Sequence, residues 1–279
     1  LYTLSLHDAL PICQRNPYDR ALLLPGAKIV EIGYPTHQLE PWQLESAISG
    51  RTAAVLYFAG GIFERYALPL EDVSEITKRH GIPLIVDAAA QVPPKENLWR
   101  YKERGADLTL VSGGKGIRGP QNSGLVLGRG DLIEAIELIS SPYQVFGRPM
   151  KTSKETIIGL LRAVELLFEE DYEKKYVDMT EKLQNLISKC SGCPAFEKIY
   201  LLPTGRHGQL YPRAVFSLQK QFQLSREIFM KDLRKGDPAV LVGPLDEDNQ
   251  AFYINPFGFQ NDEEYDIVGK RILEIVNKF

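Results

Sequence analysis

Between residues 27 and 127, short apolar runs alternate with amphipathic stretches, the pattern of strands joined by crossover helices in a mostly parallel sheet. The predicted strands are 28–32, 52–58, 83–86 and 107–111, with 124–127 as a shorter fifth. Between the second and third, Leu70, Val73, Ile76 and Thr77 fall on one face of a helix that stops at His80-Gly81, because glycine accepts the left-handed turn that ends a helix. This is a βαβ unit. Beyond Pro149 the period changes. Leu161, Val164, Phe168, Tyr172, Tyr176, Met179, Leu183 and Leu186 keep a 3.6-residue stripe, which predicts one long helix bridging two domains, with Glu169-Glu170-Asp171 on its solvated face. After Cys193, strands at 199–202, 213–218, 239–242 and 251–254 mix with a helix over 225–234. Tyr265, Val268, Ile272, Ile275 and Phe279 then space out a final amphipathic helix. The expected fold class is α/β: a large domain on a mostly parallel sheet, followed by a small α+β domain.

Composition narrows the function classes. With 44% hydrophobic and 25% charged residues over 279 positions, the chain has material for a real core, and disorder is excluded as its main state. Thirty-three Lys and Arg against 36 Asp and Glu give a net charge of -3. No global positive field then draws it to nucleic acid or anionic lipid, and the electrostatic footprint of a tRNA partner is missing. The longest apolar runs, 53–58 and 82–86, are too short to span a bilayer, so no membrane partner and a cytoplasmic location are expected. Cys13, Cys190 and Cys193 cannot frame a chain this long, which agrees with a reducing compartment. Cys190-Ser191-Gly192-Cys193 has redox or half-zinc spacing, but no second pair or nearby histidine completes a tetrahedral site, so no metal is expected. His37, His80 and His207 stand outside any HxxH or Ser/His/Asp arrangement. The opening stretch 1–12, LYTLSLHDALPI, shows neither a targeting pattern nor a smooth lead into the alternating pattern of the large domain. The expectation is that 1–13 is a non-native or disordered start, joined on by cloning or adapter read-through to a truncated gene, and that the C-terminal end is complete.

The chemistry concentrates around two residues. Asp87 stands at the carboxyl end of the third strand, and Lys115 comes in Ser112-Gly113-Gly114-Lys115-Gly116, after the fourth. Open α/β sheets place ligands at the carboxyl ends of their strands. A lysine among glycines has no bulky neighbour to block it from a carbonyl carbon, and an aspartate one strand away can hold a pyridine nitrogen protonated. That pair is what pyridoxal phosphate (PLP) chemistry requires. A glycine-rich turn with a solvated lysine is the plain alternative. A phosphate-binding P-loop fits less well, since Thr109 stands where its first glycine belongs and Gly116 where it needs Ser or Thr. Arg118, Arg148, Lys151 and Lys154 are candidate cations for a phosphate, with a solvated surface as the alternative for the two lysines.

Three segments carry a resemblance: IVDAAAQVPPKENLW (85–99), ADLTLVSGGKGIRGPQNSG (106–124) and GRPMKTSKE (147–155). Together they resemble the SelA-like group of fold-type I PLP enzymes, the group of L-seryl-tRNA(Sec) selenium transferase and D-glucosaminate-6-phosphate ammonia-lyase. The resemblance implies Lys115 as the Schiff-base lysine, Asp87 as partner of the pyridinium nitrogen, and Ser112 and Gln121 as further cofactor contacts. Arg118 and Arg148 would meet a substrate or phosphate, Arg148 from across a subunit interface. It further implies a PLP-binding large domain, of which 14–150 is the C-terminal portion, then a bridging helix and small domain over 151–279. The implied activity is lyase or transferase chemistry on a small, amino-group substrate, phosphorylated in the ammonia-lyase case, by a homodimer or higher homo-oligomer. Selenium transfer on a seryl-tRNA and a catalytically silent scaffold are the alternatives. The family's glycine- or alanine-rich phosphate cradle lies upstream of the strand that begins near Lys28 and is absent from residues 1–27, and the aromatic or histidine side chain that stacks on the ring is expected from the missing part as well.

Overall fold

The computed structural model describes residues 8–11, 18–34 and 36–278. Cys13 and the last residue of the C-terminal stripe, Phe279, lie outside them. The chain divides into two compact units, Leu1–Glu170 with Arg206–Gln209, and Asp171–Gly205 with Leu210–Phe279. The segment 151–170 clusters with the first unit.

The first unit contains β1 (Asp8–Pro11), α1 (Asp19–Leu23), β2 (Lys28–Ile29), α2 (Pro41–Ala47), β3 (Thr52–Phe58), α3 (Leu70–His80), β4 (Leu84–Asp87), α4 (Asn97–Glu103), β5 (Leu108–Ser112), β6 (Gly124–Gly128), α5 (Gly130–Leu138) and α6 (Lys154–Glu169). Among the described residues the sheet runs β2-β1-β3-β4-β5-β6, parallel except for β6, which is antiparallel to β5. The expected mostly parallel α/β architecture is present. Asp8–Pro11, inside the stretch expected to be a non-native or disordered start, is a strand whose backbone pairs with both β2 and β3. The strand expected over 28–32 is cut to Lys28–Ile29, and Gly33 beyond it turns the chain at φ +81°.

In α3 burial matches the pattern, whereas α6 buries Leu160, Ala163 and Leu167 and leaves the predicted stripe residues Leu161 and Phe168 exposed. Leu70, Val73, Ile76 and Thr77 of α3 are buried with Val55 and Tyr57 of β3 and Leu84 and Val86 of β4. Acidic Glu71 and Asp72 open α3, basic Lys78, Arg79 and His80 close it, and Gly81 caps it at φ +68°. A second cluster joins Val111 of β5 to Leu160, Ala163 and Leu167 of α6.

The second unit contains α7 (Tyr172–Cys190), β7 (Phe196–Leu202), β8 (Arg213–Leu218), α8 (Arg226–Lys235), β9 (Gly243–Pro244), β10 (Ala251–Ile254) and α9 (Glu263–Val276). Its antiparallel sheet runs β7-β8-β10-β9, and Phe216, Phe229 and Phe252 lie fully buried in its core. The expected strand 239–242 is absent. Val240 and Val242 are buried there without a ladder, because the Val240 N–H donates to the Leu233 carbonyl at the end of α8 (3.0 Å). The single long helix is also corrected to two, α6 and α7. Glu170 ends the first in extended geometry, and Asp171 caps the second by accepting from the Lys174 N–H (3.1 Å). The acidic cluster is therefore the break between helices, with Glu169 and Asp171 exposed as expected and Glu170 half-buried.

Candidate active site

Phe58 lies opposite Asp87, and Asp87 opposite Leu110, so β3, β4 and β5 bring their carboxyl ends to one rim. Asp87 is the last residue of β4 and is half-buried. Its carbonyl accepts from the Ala59 N–H (2.9 Å), and its Oδ1 accepts from the Ala89 N–H (3.0 Å). One carboxylate oxygen is thus fixed by backbone, while Oδ2 makes no hydrogen bond among the described residues. The Ala89 carbonyl in turn accepts from the N–H of Ser112, the half-buried last residue of β5 (3.3 Å). Two predicted site residues are joined through one alanine.

Lys115 sits on the turn that leaves β5. Gly113 donates to the Ser123 carbonyl (3.0 Å), Gly119 donates to the Gly113 carbonyl (2.8 Å), and Arg118 donates to the Lys115 carbonyl (2.9 Å). The glycines are there because neighbours press in. A Cβ on Gly116 would stand 1.9 Å from the Val92 carbonyl oxygen, and one on Gly114 would stand 2.5 Å from the Gln121 Cα. Val92 belongs to the loop that begins at Asp87, so the lysine turn is packed onto the aspartate loop. Gln121 donates Nε2 to the Gly114 carbonyl (2.9 Å) and steadies the turn from outside. The Lys115 side chain is exposed and makes no ion pair or hydrogen bond among the described residues.

The arginines are engaged elsewhere. Arg118 takes a left-handed φ of 61° and donates Nη2 to Glu170 Oε1 at the end of α6 (2.7 Å). Arg148, in a 3-10 turn at 148–150, donates Nη1 to Ser141 Oγ (2.9 Å). Lys151 and Lys154 are exposed. Sequence reasoning missed Gln91, a buried polar residue four positions past Asp87, whose Nε2 donates to the Ala59 carbonyl (3.1 Å) and the His207 carbonyl (2.9 Å). The signal that could have found it is a lone amide closing the apolar run Ala88-Ala89-Ala90. Among the described residues no three His, Cys, Asp or Glu side chains gather as a metal site. Burial raises the Cys190 thiol to about 11, the opposite of what a metal-binding thiolate needs. No helix of the described residues is long and apolar enough to cross a membrane.

Residues 13–153, half of the chain, match the model of the aminotransferase class-V family. The chain belongs to the aminotransferase class-V family. Its fold is that of the fold-type I PLP enzymes, and the family's cofactor is PLP. Among curated proteins the chain is 33% identical over 180 residues to 5'-C-glycyluridine monooxygenase-decarboxylase of a Streptomyces species, covering 64% of this chain and 43% of that protein. It is 37% identical over 150 residues to D-glucosaminate-6-phosphate ammonia lyase of Salmonella typhimurium, covering 53% and 38%. The solved structure of a D-glucosaminate-6-phosphate ammonia-lyase aligns with 98% of this chain and 72% of that one, with a TM-score of 0.78 and 26% identity. The matched region thus spans less than half the length of either curated relative. Two donors of the kind PLP takes stand at these strand ends: a carboxylate with one oxygen uncommitted, and a lysine without an ion pair or hydrogen bond among the described residues.

Proposed function

We propose that this chain carries the lysine and aspartate of a PLP-dependent lyase or transferase that acts on an amino-group substrate and expels a group from its β-carbon. The observation that carries the proposal is the junction at the rim, where the Lys115 turn presses on the loop leaving Asp87 while both side chains keep reactive atoms uncommitted. In this reading Lys115 and Asp87 hold PLP, with Ser112 and Gln121 beside them. When bound, PLP supplies an electron-poor ring that accepts the electron pair left at the substrate Cα. Asp87, whose Oδ2 is uncommitted, would hold a proton on the ring nitrogen. Lys115 Nζ would hold the cofactor's carbonyl carbon and, when free, would take the Cα proton as general base. Departure of the β-substituent would complete the elimination; a β-hydroxyl would leave with a proton as water, and the resulting enamine, as its imine, would take up one water to give a ketone and ammonia.

The similarity to the ammonia-lyase supports a small phosphorylated amino-sugar acid as substrate. The net charge of -3 weighs against selenium transfer on a tRNA. Since Arg118 is paired with Glu170, Arg148 is the better candidate for a phosphate contact. A homodimer or higher homo-oligomer is supported by the apolar surface at Leu138, Ile139, Phe146, Met150, Ile157 and Ile158, all 45% exposed or more, and light scattering on the eluting protein tests it.

Reduction decides the central claim. The protein expressed from its genomic reading frame is mixed with PLP, reduced with borohydride and mapped by mass spectrometry. Label on the Lys115 peptide, absent in Lys115→Ala, is expected, and ammonia release from phosphorylated 2-amino-sugar acids is then the substrate test. A folded protein without that label overturns the proposal in favour of a silent scaffold.

A further inference from the structure

The turn after β3 is packed as only glycine allows. Gly60 and Gly61 have φ of +92° and +55°, and a Cβ would lie 2.4 Å from the His207 carbonyl oxygen at the first and 2.5 Å from the His207 carbonyl carbon at the second. The residues they meet, Arg206–Gln209, lie between β7 and β8 in sequence yet cluster with the first unit. The rings of Phe63 and His207 stack there, with centroids 5.4 Å apart. The fastening itself is polar. Gln91, 6% exposed, sends Nε2 to two carbonyls from different parts of the chain, Ala59 at 3.1 Å and His207 at 2.9 Å, and its own backbone carbonyl accepts from Asn97 Nδ2 at 2.5 Å. A primary amide has two N–H donors, and here each has an acceptor. Ala59, held in this way, gives its N–H to the Asp87 carbonyl (2.9 Å).

We infer that Gln91 is a positioning residue: it fastens Arg206–Gln209 to the rim as a fixed wall and, through Ala59, holds the backbone from which Asp87 projects. An apolar side chain of equal size would fill the same space but join nothing. The two carbonyls explain why an amide is buried here, since a buried polar group persists only with partners. The inference rests on the proposed site only in naming this rim as catalytic; the fastening is measured separately.

The test uses the whole chain with Gln91→Met, which keeps length and loses both donors. Gly61→Ala is the second variant, pressing on the His207 backbone while leaving Gln91 intact. Trypsin cleavage after the exposed Arg206 and amide exchange at 59–63, 87–90 and 205–209 are monitored, with circular dichroism and the thermal transition as controls for folding. In Gln91→Met, cleavage and exchange at those three segments are expected to rise about tenfold, the scale of the one buried hydrogen bond lost at each of Ala59 and His207, with the rest of the first unit unchanged. Gly61→Ala should release 205–209 in the same way. The extent of borohydride labelling of Lys115 at a fixed PLP concentration should fall in Gln91→Met while the thermal transition stays in place. Unchanged protection, or loss spread evenly over the first unit, overturns the inference. Wild-type protein that labels at Lys115 while Gln91→Met keeps full protection sinks the inference alone. Wild-type protein without label, whose 205–209 segment is freed by Gln91→Met, sinks the functional proposal and leaves the fastening standing.

Discussion

Lys115 owes its position to neighbours that have no side chain. Since Gly116 lies against the Val92 carbonyl, where a methyl group would sit at 1.9 Å, Gly116→Ala must push the lysine turn off the aspartate loop. Overpacking against backbone costs about 1–3 kcal/mol. A lower denaturation midpoint together with loss of Lys115 labelling is the expected result, and an unmoved midpoint contradicts the packing argument. Cys190 gives a second test. Burial raises its thiol to about 11, so it stays protonated and resists iodoacetamide at about pH 8 until the second unit unfolds, which peptide mapping with and without denaturant reads. The strand-end placement of Asp87 and of the turn that carries Lys115 was legible in the sequence because residue type and strand ends are both local facts. Arg118 was not, since its partner Glu170 sits on an element whose end the periodicity concealed. Gln91 and His207 were illegible for a different reason: their meeting is made through backbone carbonyls, which every residue has.

At the scale of elements, periodicity located strands and helices well but not their breaks. The apolar stripe from Leu161 to Leu186 continues in register across Glu170, so hydrophobic spacing alone reads one helix. Capping chemistry decides otherwise, because the Asp171 carboxylate takes the Lys174 N–H and starts α7 afresh. Asp171→Ala should therefore fray the first turn of α7 at a cost of about 1 kcal/mol. Faster amide exchange over 172–176, with α6 unaffected, is the expected signature; equal change in both helices would mean that they behave as one. The same limit explains the missing strand at 239–242, where an apolar run fills a core without joining a ladder.

For the whole molecule, the phenols set the alkaline limit in both units. Burial raises Tyr101 in the first unit from 10.0 to about 12, and Tyr265 in the second by as much, while Tyr57 moves in the same direction. Burial disfavours the phenolate, so between these values the folded chain holds protons that the unfolded chain has released. Stability rises with pH only where the unfolded state binds more protons; here it binds fewer, so stability is full below about pH 10 and falls as the pH climbs toward 12. Lys182, raised by its bonds to Asp178 and Asp262, adds to the fall in the second unit, discounted for its partial exposure. The thermal midpoint should hold steady from about pH 7 to 9 and then drop by roughly 5–10 °C per unit across the window, as expected for the loss of a few kcal/mol. Tyr101→Phe removes one titrating group from the first unit and should flatten the drop there while leaving the second unit's drop in place. A midpoint that stays level to pH 12 would mean that water reaches these phenols in the folded state, against the 6% and 7% exposure of Tyr101 and Tyr265.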